Sequence, residues 1–420
     1  MKKLLPLTLS VLTLFSACSV FQKRTVNAEE LSKDYSRKAT DATVDLTDFE
    51  SQFMDFSLNF FQKTVEKNGK NQLFSPLSAA LCLALINNGA NGNTRAQLET
   101  LFGMDTETLN RSLYAYTSSL YSAENCKLSL ANSIWMKNDA LNVNPEFLQA
   151  NADWYNAQAY AAPFDQSTIK DINNWCYNQT SGKIDKILNE IPSQAVMYLI
   201  NAVDFDAKWL DKYEREDIED GTFHSYSAET QDVTMLYSEE SRYFIDENSV
   251  GFTKAYEGGK YHFMALLPDE GVDIYEYINS LNGEKWAGLW ESGNPQNENY
   301  VYREVHARIP EFKYEIELSL KETLQALGVT DMFLPRIADF SGIDEGQPLY
   351  CDVVKQKAMI ELDRNGTKAA AITMGGIGCM GIAPAPVEPL YITLDRPFVY
   401  ALIDNDHNLP IFIGAVTDIH

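Results

Sequence analysis

The chain has 420 residues, with 34 lysines and arginines against 59 aspartates and glutamates, giving a formal charge of -25 and a pI near 4.6. That balance excludes the basic face that phosphate binding needs, and so argues against a nucleic-acid partner. With 45% hydrophobic and 22% charged residues the chain is globular rather than disordered, and its length admits one large domain or two to three ordinary ones.

Met1-Lys2-Lys3 followed by the apolar run 4–15 has the form of a secretory signal. The run is too short, and too interrupted by Pro6, Thr8, Ser10 and Thr13, to make a good membrane span. It ends Leu14-Phe15-Ser16-Ala17-Cys18, which resembles a bacterial lipobox despite the less usual Phe15. The resemblance implies a signal peptide over 1–17 and acylation of Cys18. Ordinary signal cleavage with release of a soluble protein is the alternative. Residues 18–45 are polar and mixed in charge and read as a flexible tether, leaving 46–420 as the domain.

Leu46, Phe49, Phe53, Phe56 and Phe60 recur at spacings of three and four and predict a helix with one buried face, stopped by Asn68-Gly69. Ser75 is placed to cap a second helix whose first residue is Pro76, and the run 77–86 is apolar nearly all round, so this helix belongs inside the molecule. Thr94 and Gln97 predict a capping box for a short helix that stops at Gly103. Strands follow at 127–137, 197–209, 233–244, 259–267 and 301–309; helices fall at 145–155, 169–179, 275–281, 284–290 and 318–327. Two C-terminal strands, DRPFVYALID and LPIFIGAV, are joined by a polar turn at 405–408.

Between two runs that read as strands lies the stretch 361–389, ELDRNGTKAAAITMGGIGCMGIAPAPVEP, in which almost nothing could build a core. Its glycines and prolines leave no helix of useful length. A structureless stretch this long inside a compact domain is functional or disordered, and it is bait for proteases. The segment 367–373 lacks proline and bulky aromatics, so it could lie in a tight slot between strands. Laid out as a strand, the fifteen residues from Gly366 to Met380 would span roughly 50 Å.

Catalytic chemistry finds little support. His224, His262, His306, His407 and His420 are accompanied by no HExxH or GxSxG motif, and each reads as a surface or turn histidine. Gly376-x-Gly378-x-x-Gly381 matches the dinucleotide fingerprint in letters, but the prolines after it forbid the helix that motif requires. Cys82, Cys126, Cys176, Cys351 and Cys379 are odd in number and widely spaced, with no CxxC, so neither a disulfide framework nor a zinc site is indicated. Cys82, in an apolar run, reads as a small core residue.

The stretch 363–373, DRNGTKAAAIT, resembles the hinge of a serpin reactive-centre loop. Further matches to that family are FSPLS at Ser75, NGANGNTRAQL, ANSIWMKN, INNWCYNQTSGKI, Asn201 followed by Trp209, LGVTDMF, ADFSGI and the C-terminal hairpin, which together cover about 370 residues. The resemblance implies an α+β serpin fold with a large central β-sheet, two smaller sheets, about eight to nine helices and an exposed loop over about 364–389. It implies a protein that is not an enzyme, needs no cofactor and acts as a monomer. Such a protein offers the loop to a serine protease and, once cut, inserts it into the central sheet, trapping the protease irreversibly.

Carried onto this sequence, the insertion hinge is Gly366, Thr367, Lys368, Ala369, Ala370, Ala371, Ile372 and Thr373. The cluster governing sheet opening is Ser75, Ser78, Asn201, Gln356 and Trp209. Counting fifteen residues from the hinge glycine puts the scissile bond at Met380–Gly381, flanked by Cys379 and Ile382. Apolar residues there imply elastase- or chymotrypsin-like serine endopeptidases, with cysteine proteases as a second class, and the acidic surface would suit a cationic target. The sequence departs from the family at Arg364, Asn365 and Lys368, where acidic residues are usual, at Gln356, where a histidine is usual, and at Ile372, where a small residue is usual. A non-inhibitory binding or decoy protein is the alternative. With the lipobox, the expected location is the membrane of a bacterial cell envelope.

Overall fold

The aromatic spacing at the start of the domain folds as expected: Phe49, Phe53, Phe56 and Phe60 are buried along helix α1 (Thr47–Thr64). In the computed structural model the described residues are 22–38, 44–120, 126–138, 142–193, 195–298, 300–366 and 388–419. Among them are nine α-helices and three sheets.

The large sheet runs, in spatial order, β1 (Glu29–Glu30), β4 (Gln158–Ala162), β3 (Cys126–Lys137), β5 (Met197–Ala207), β13 (Val353–Leu362) and β12 (Phe312–Ser319). A second sheet of six orders β2 (Gln72–Phe74), β16 (Leu409–Val416), β15 (Phe398–Asp404), β10 (Tyr261–Pro268), β9 (Ser249–Ala255) and β8 (Tyr243–Ile245). A four-stranded sheet orders β14 (Leu390–Thr393), β11 (Val305–Pro310), β7 (Thr230–Glu240) and β6 (Ile218–His224).

Helix α2 (Pro76–Asn87) is buried at every position, which is why its sequence shows no polar face. Ser75 caps it, its side chain accepting from Ser78 N, with Pro76 at the first turn. The other helices are α3 (Gly92–Phe102), α4 (Thr106–Ser119), α5 (Pro145–Tyr155), α6 (Gln166–Gln179), α7 (Ile274–Ser280), α8 (Gly283–Ser292) and α9 (Lys321–Ala326).

The large sheet is buried on both faces, and its strand periodicity divides the two cores. Ile134, Met136 and Leu199 join the main core with α1, α2 and the second sheet. Trp135, Tyr160, Tyr198 and Ile200 point the other way, into a smaller core under α6 with Ile172 and Trp175. Trp135 stacks on Tyr160 at 4.3 Å between ring centres.

Several expectations need correction. Thr94 and Gln97 form no capping box: α3 starts at Gly92 after Asn91, and both side chains instead stitch it to a distant segment. Thr94 Oγ1 accepts from Asp339 N, and Gln97 Oε1 accepts from Thr330 N and Asp331 N, each at 2.9–3.0 Å. The end at Gly103 stands, with φ of +68° closing the helix in the left-handed region. The run 233–244 splits between β7 and β8, which belong to different sheets. The helix expected over 318–327 is confined to α9, because Leu318 and Ser319 still pair with Gln356 and Lys355 in β12. His262 is no surface residue: it is largely enclosed on β10, its Nδ1 has no partner, and burial lowers its pKa to about 4.

The segment read as a tether is narrower than expected, since residues 22–38 lie against the domain. Glu29–Glu30 pairs antiparallel with Ala161 and Tyr160 and so covers the edge of β4. Arg24 N donates to Asn178 Oδ1 at 2.7 Å while Asn178 Nδ2 donates back to Arg24 O at 2.8 Å. The Arg24 guanidinium lies 3.5 Å from the centre of the Tyr177 ring and meets Asp185 at 2.6 Å. Asn174 Nδ2 donates to Thr25 O, and Val26 and Ala28 cover the core beneath α6. Such contacts are made by main chain and isolated side chains, so no periodicity announces them. Deleting residues 22–38 is expected to lower the apparent Tm by several degrees and to promote association through the uncovered edge of β4. Thermal scans and light scattering check this, and an unchanged Tm with a monomeric chain would show that the segment contributes nothing.

Candidate functional site: a seam in the large sheet

Two central strands of the large sheet run side by side yet barely pair. β5 is laddered to β3 from Ala207 to Met197, and β13 is laddered to β12 from Lys355 to Leu362. Toward each other they pair in parallel at only three positions, Val353–Tyr198, Val354–Leu199 and Lys355–Ile200. Beyond Lys355 they part, and the next contact across the gap is the bridge between Lys208 and Gly366. The gap therefore follows the seven residues 201–207 of β5, and the eight steps from Ile200 to Lys208 span roughly 26 Å at a strand's rise. Val203, Phe205, Met359 and Ile360 line it, and Leu402 and Phe412 of the second sheet form its floor.

At the closed end sits a polar cluster. Along β13 the buried positions alternate as Val354, Gln356, Ala358, Ile360 and Leu362, so Gln356 is the one polar side chain on that face. Its amide pairs with the main chain of Ser75: Ser75 N donates to Oε1 and Nε2 donates to Ser75 O, both at 2.9 Å. Asn201, the corresponding polar residue of β5, accepts from the Ser78 hydroxyl and donates through Nδ2 to Asn132 Oδ1 at 2.7 Å. Ser75 Oγ donates to Ile411 O at 2.8 Å. The N-terminus of α2 thus holds both strands where they begin to part, β13 through Ser75 and β5 through Ser78.

Trp209 is not part of that cluster. It lies past the far end of β5, fully buried, stacked on Tyr256 at 4.5 Å with the rings 8° apart. Its Nε1 donates to Asp363 O at 3.0 Å, and Lys254 Nζ sits 5.6 Å from its ring centre while pairing with Glu240 at 3.0 Å. Burial raises the Glu240 carboxyl above its usual range, against the opposing pull of Lys254. Gly366 closes this end at φ +101°; a Cβ there would come within 2.3 Å of Trp209 N, so the position admits only glycine. Arg364 grips Glu311 with both arms, Nε to Oε1 and a terminal nitrogen to Oε2 at 2.9 Å each, and Glu311 Oε1 also accepts from Arg364 N. The basic residue at 364 therefore has its own acidic partner.

A third brace crosses the seam from outside. Lys183, just after α6, meets Asp204 and Asp206 of β5 at 2.6 and 3.1 Å. Lys357 of β13 donates to Lys186 O at 2.7 Å, so the 183–186 segment touches both strands. The buried thiols of Cys82 and Cys126 are pushed up to about 12 by desolvation, which leaves them poor nucleophiles.

Of the residues singled out from the sequence, Ser75, Ser78, Asn201 and Gln356 come together, while Trp209 and Gly366 meet at the opposite end of the same gap. Thr367, Lys368, Ala369, Ala370, Ala371, Ile372, Thr373, Cys379, Met380, Gly381, Ile382 and Cys18 lie outside the described residues. Asn132, Glu311 and Lys183 escaped the sequence reading; each is polar at a position facing another element, a signal that only the pairing register exposes.

The family model for serpins, described as serine protease inhibitor, matches residues 51–419. Leukocyte elastase inhibitor A of Mus musculus is 30% identical over 378 residues, which is 86% of this chain and 97% of that protein. A serine protease inhibitor of Cyanea capillata is 29% identical over 86% of this chain and 96% of its own length. The crystal structure of the thermophilic serpin tengpin in its native state is 41% identical and superposes with a TM-score of 0.85, covering 93% of this chain and 99% of that one. Tengpin in its latent state, 39% identical, covers 91% and 100% with a lower TM-score of 0.76.

Replacing Gln356 with alanine strips the partner from the buried Ser75 N–H, whereas Ser75 O keeps its helical bond from Ala79 N. One orphaned buried donor costs about 1–3 kcal/mol. Gln356→Ala is therefore expected to lower the midpoint of urea unfolding, and a midpoint equal to the parent's would show that the amide pairing carries no stability.

Proposed function

The chain belongs to the serpin family, and from that premise we propose that it is an inhibitor of serine proteases that works by accepting its own cleaved loop as a new strand in the seam between β5 and β13. The observation that carries this reading is the seam itself. It is strand-long, floored by apolar side chains, bordered by two strands that leave each other unpaired, and closed beside Gly366, the last described residue before the loop.

In this reading the protease serine oxygen attacks the carbonyl carbon of Met380. The bond to Gly381 breaks, the Gly381 nitrogen takes up a proton, and Met380 remains bound to the protease as an ester. The strand starting at Gly366 then enters the seam and pairs on both sides, a gain unavailable while the loop is uncut. Thr367 and Ala369–Ala371 are small enough to lead the way, and Ile372 would face an apolar side. The role is that of a suicide substrate rather than a catalyst.

A decoy that is cut without trapping is the second reading. The Arg364–Glu311 grip, the Gln356–Ser75 pairing and the Lys183 brace favour it, because each holds the seam against opening. Mixing the chain with a panel of serine proteases separates the two on a denaturing gel. Trapping gives a stable band of added mass, and a decoy gives fragments alone.

Thr367→Arg would force a charge into the sheet at a cost of several kcal/mol. The expected outcome is cleavage without the high-mass band; a variant that traps as well as its parent would rule out insertion.

No lysine or arginine stands between Thr373 and Pro389, so a protease whose pocket holds a carboxylate finds no partner there. Targets of the elastase or chymotrypsin kind follow, with Cys379 and Met380 making the reaction sensitive to oxidation of either sulfur. Mass spectrometry of the released C-terminal fragment is expected to find Gly381 at its start; a start before Gly378 or after Ala383 contradicts the register.

Acylation of Cys18 would place this inhibitor on a membrane. Cys18→Ala should move it to the soluble fraction, and an unchanged distribution would remove the anchor from the reading.

A further inference from the structure

The four-stranded sheet carries a group of side chains that the seam does not use. Strand alternation sends Val305, Ala307 and Ile309 into the core, fully buried, and turns Glu304, His306 and Arg308 outward. Register then adds neighbours to that outer face. His306 stands opposite Glu239 of β7 on one side and beside Tyr391 of β14 on the other, and Tyr237 lies two residues along from Glu239. The Tyr391 ring stacks on the imidazole at 4.8 Å and 14°. One ligating atom each from Glu239, Glu304 and His306 lies within 4.8 Å of the others.

Hydrogen bonding fixes which imidazole nitrogen is free. The Tyr237 hydroxyl lies 3.0 Å from Glu239 Oε1 and 2.5 Å from His306 Nδ1. It has a single proton, and a carboxylate can only accept, so the hydroxyl donates to Glu239 and accepts from Nδ1–H. That leaves the Nε2 lone pair facing Glu304 Oε1 at 3.6 Å, too long for a hydrogen bond. Three acceptors then converge, and the Tyr237 hydroxyl on Glu239 is the one hydrogen-bond donor among them. Among the described residues no lysine or arginine pairs with either carboxylate, since Arg308 is committed to Glu219 at 3.0 Å. A partner that holds the second nitrogen of a ligating histidine, as Tyr237 does here, is the usual outer support of a metal site.

We propose that Glu239, Glu304 and His306 bind a divalent cation of the zinc type, through His306 Nε2 and one oxygen of each carboxylate, with water completing the coordination. Ligands about 2.1 Å from a tetrahedral ion stand roughly 3.4 Å apart. The His306–Glu304 pair is already near that spacing, and small rotations of an exposed glutamate bring in the rest. An imidazole with two carboxylates suits zinc better than calcium or magnesium, which prefer all-oxygen sets. The ion would clip β7 to β11 beneath the ring of Tyr391, on the first strand after the loop. This site stands whether or not the chain traps proteases.

Calorimetric titration of the full chain with zinc chloride at pH 7.5 tests it. One saturable equivalent is expected, at least tenfold weaker in His306→Ala and in Glu304→Gln. No saturable binding, or affinity unchanged in both variants, would overturn the site and assign any uptake to the acidic surface at large. A second measurement needs no variant: zinc should slow the modification of His306 by diethylpyrocarbonate, read by mass spectrometry, and an unaltered rate would overturn the proposal equally.

Discussion

Two parallel strands that could pair along their length are joined for three residues and then held apart, and the rest of the molecule is arranged around that interruption. An unpaired strand edge is costly when buried and hazardous when exposed. Here the outer edges of β5 and β13 are laddered to β3 and β12, the inner edges face an apolar slot, and the two ends are fastened by different chemistry. One end uses amide and hydroxyl groups anchored on α2, and the other uses a glycine pressed against the main chain beside a buried tryptophan. The seam is stable because it is braced, not because its strands fit each other.

Much of the fold was legible wherever a single periodicity had a single cause. α1 showed its phenylalanine stripe, α2 its cap and all-round apolarity, and the C-terminal hairpin its two strands and polar turn. The sequence failed where one apolar run served two elements, as at 233–244, or where a strand ran straight into a helix, as at Leu318. Helix α4 was passed over although Asp105 caps it and Leu109, Leu113 and Tyr116 mark its buried side, because the stripe is narrow and the rest of the helix polar. Thr94 and Gln97 had the spacing of a local motif but were claimed by partners more than 230 residues away.

The candidate site was legible by resemblance more than by pattern. Nothing in the spacing of Ser75, Ser78, Asn201 and Gln356 says that they meet; only the family motifs brought them into view, and they also drew in Trp209, which belongs to the other end of the gap. Two departures from the family pattern find their reasons in contacts. A glutamine amide matches the Ser75 main chain as one peptide group matches another, and Arg364 takes Glu311, which sits at the turn between β11 and β12. Neither partner could be inferred from the neighbourhood in sequence, since each lies more than fifty residues away.

The docked segment 22–38 bears on how the molecule would sit at a surface. Cys18 and Arg24 are six residues apart, so the chain between them can reach at most roughly 21 Å. An acyl anchor at Cys18 would then act less as a long leash than as a short mooring fixed beside α6. The side of the large sheet that carries α6 would have to stand close to the lipid, and only the side turned away from the membrane would be open to a protein partner.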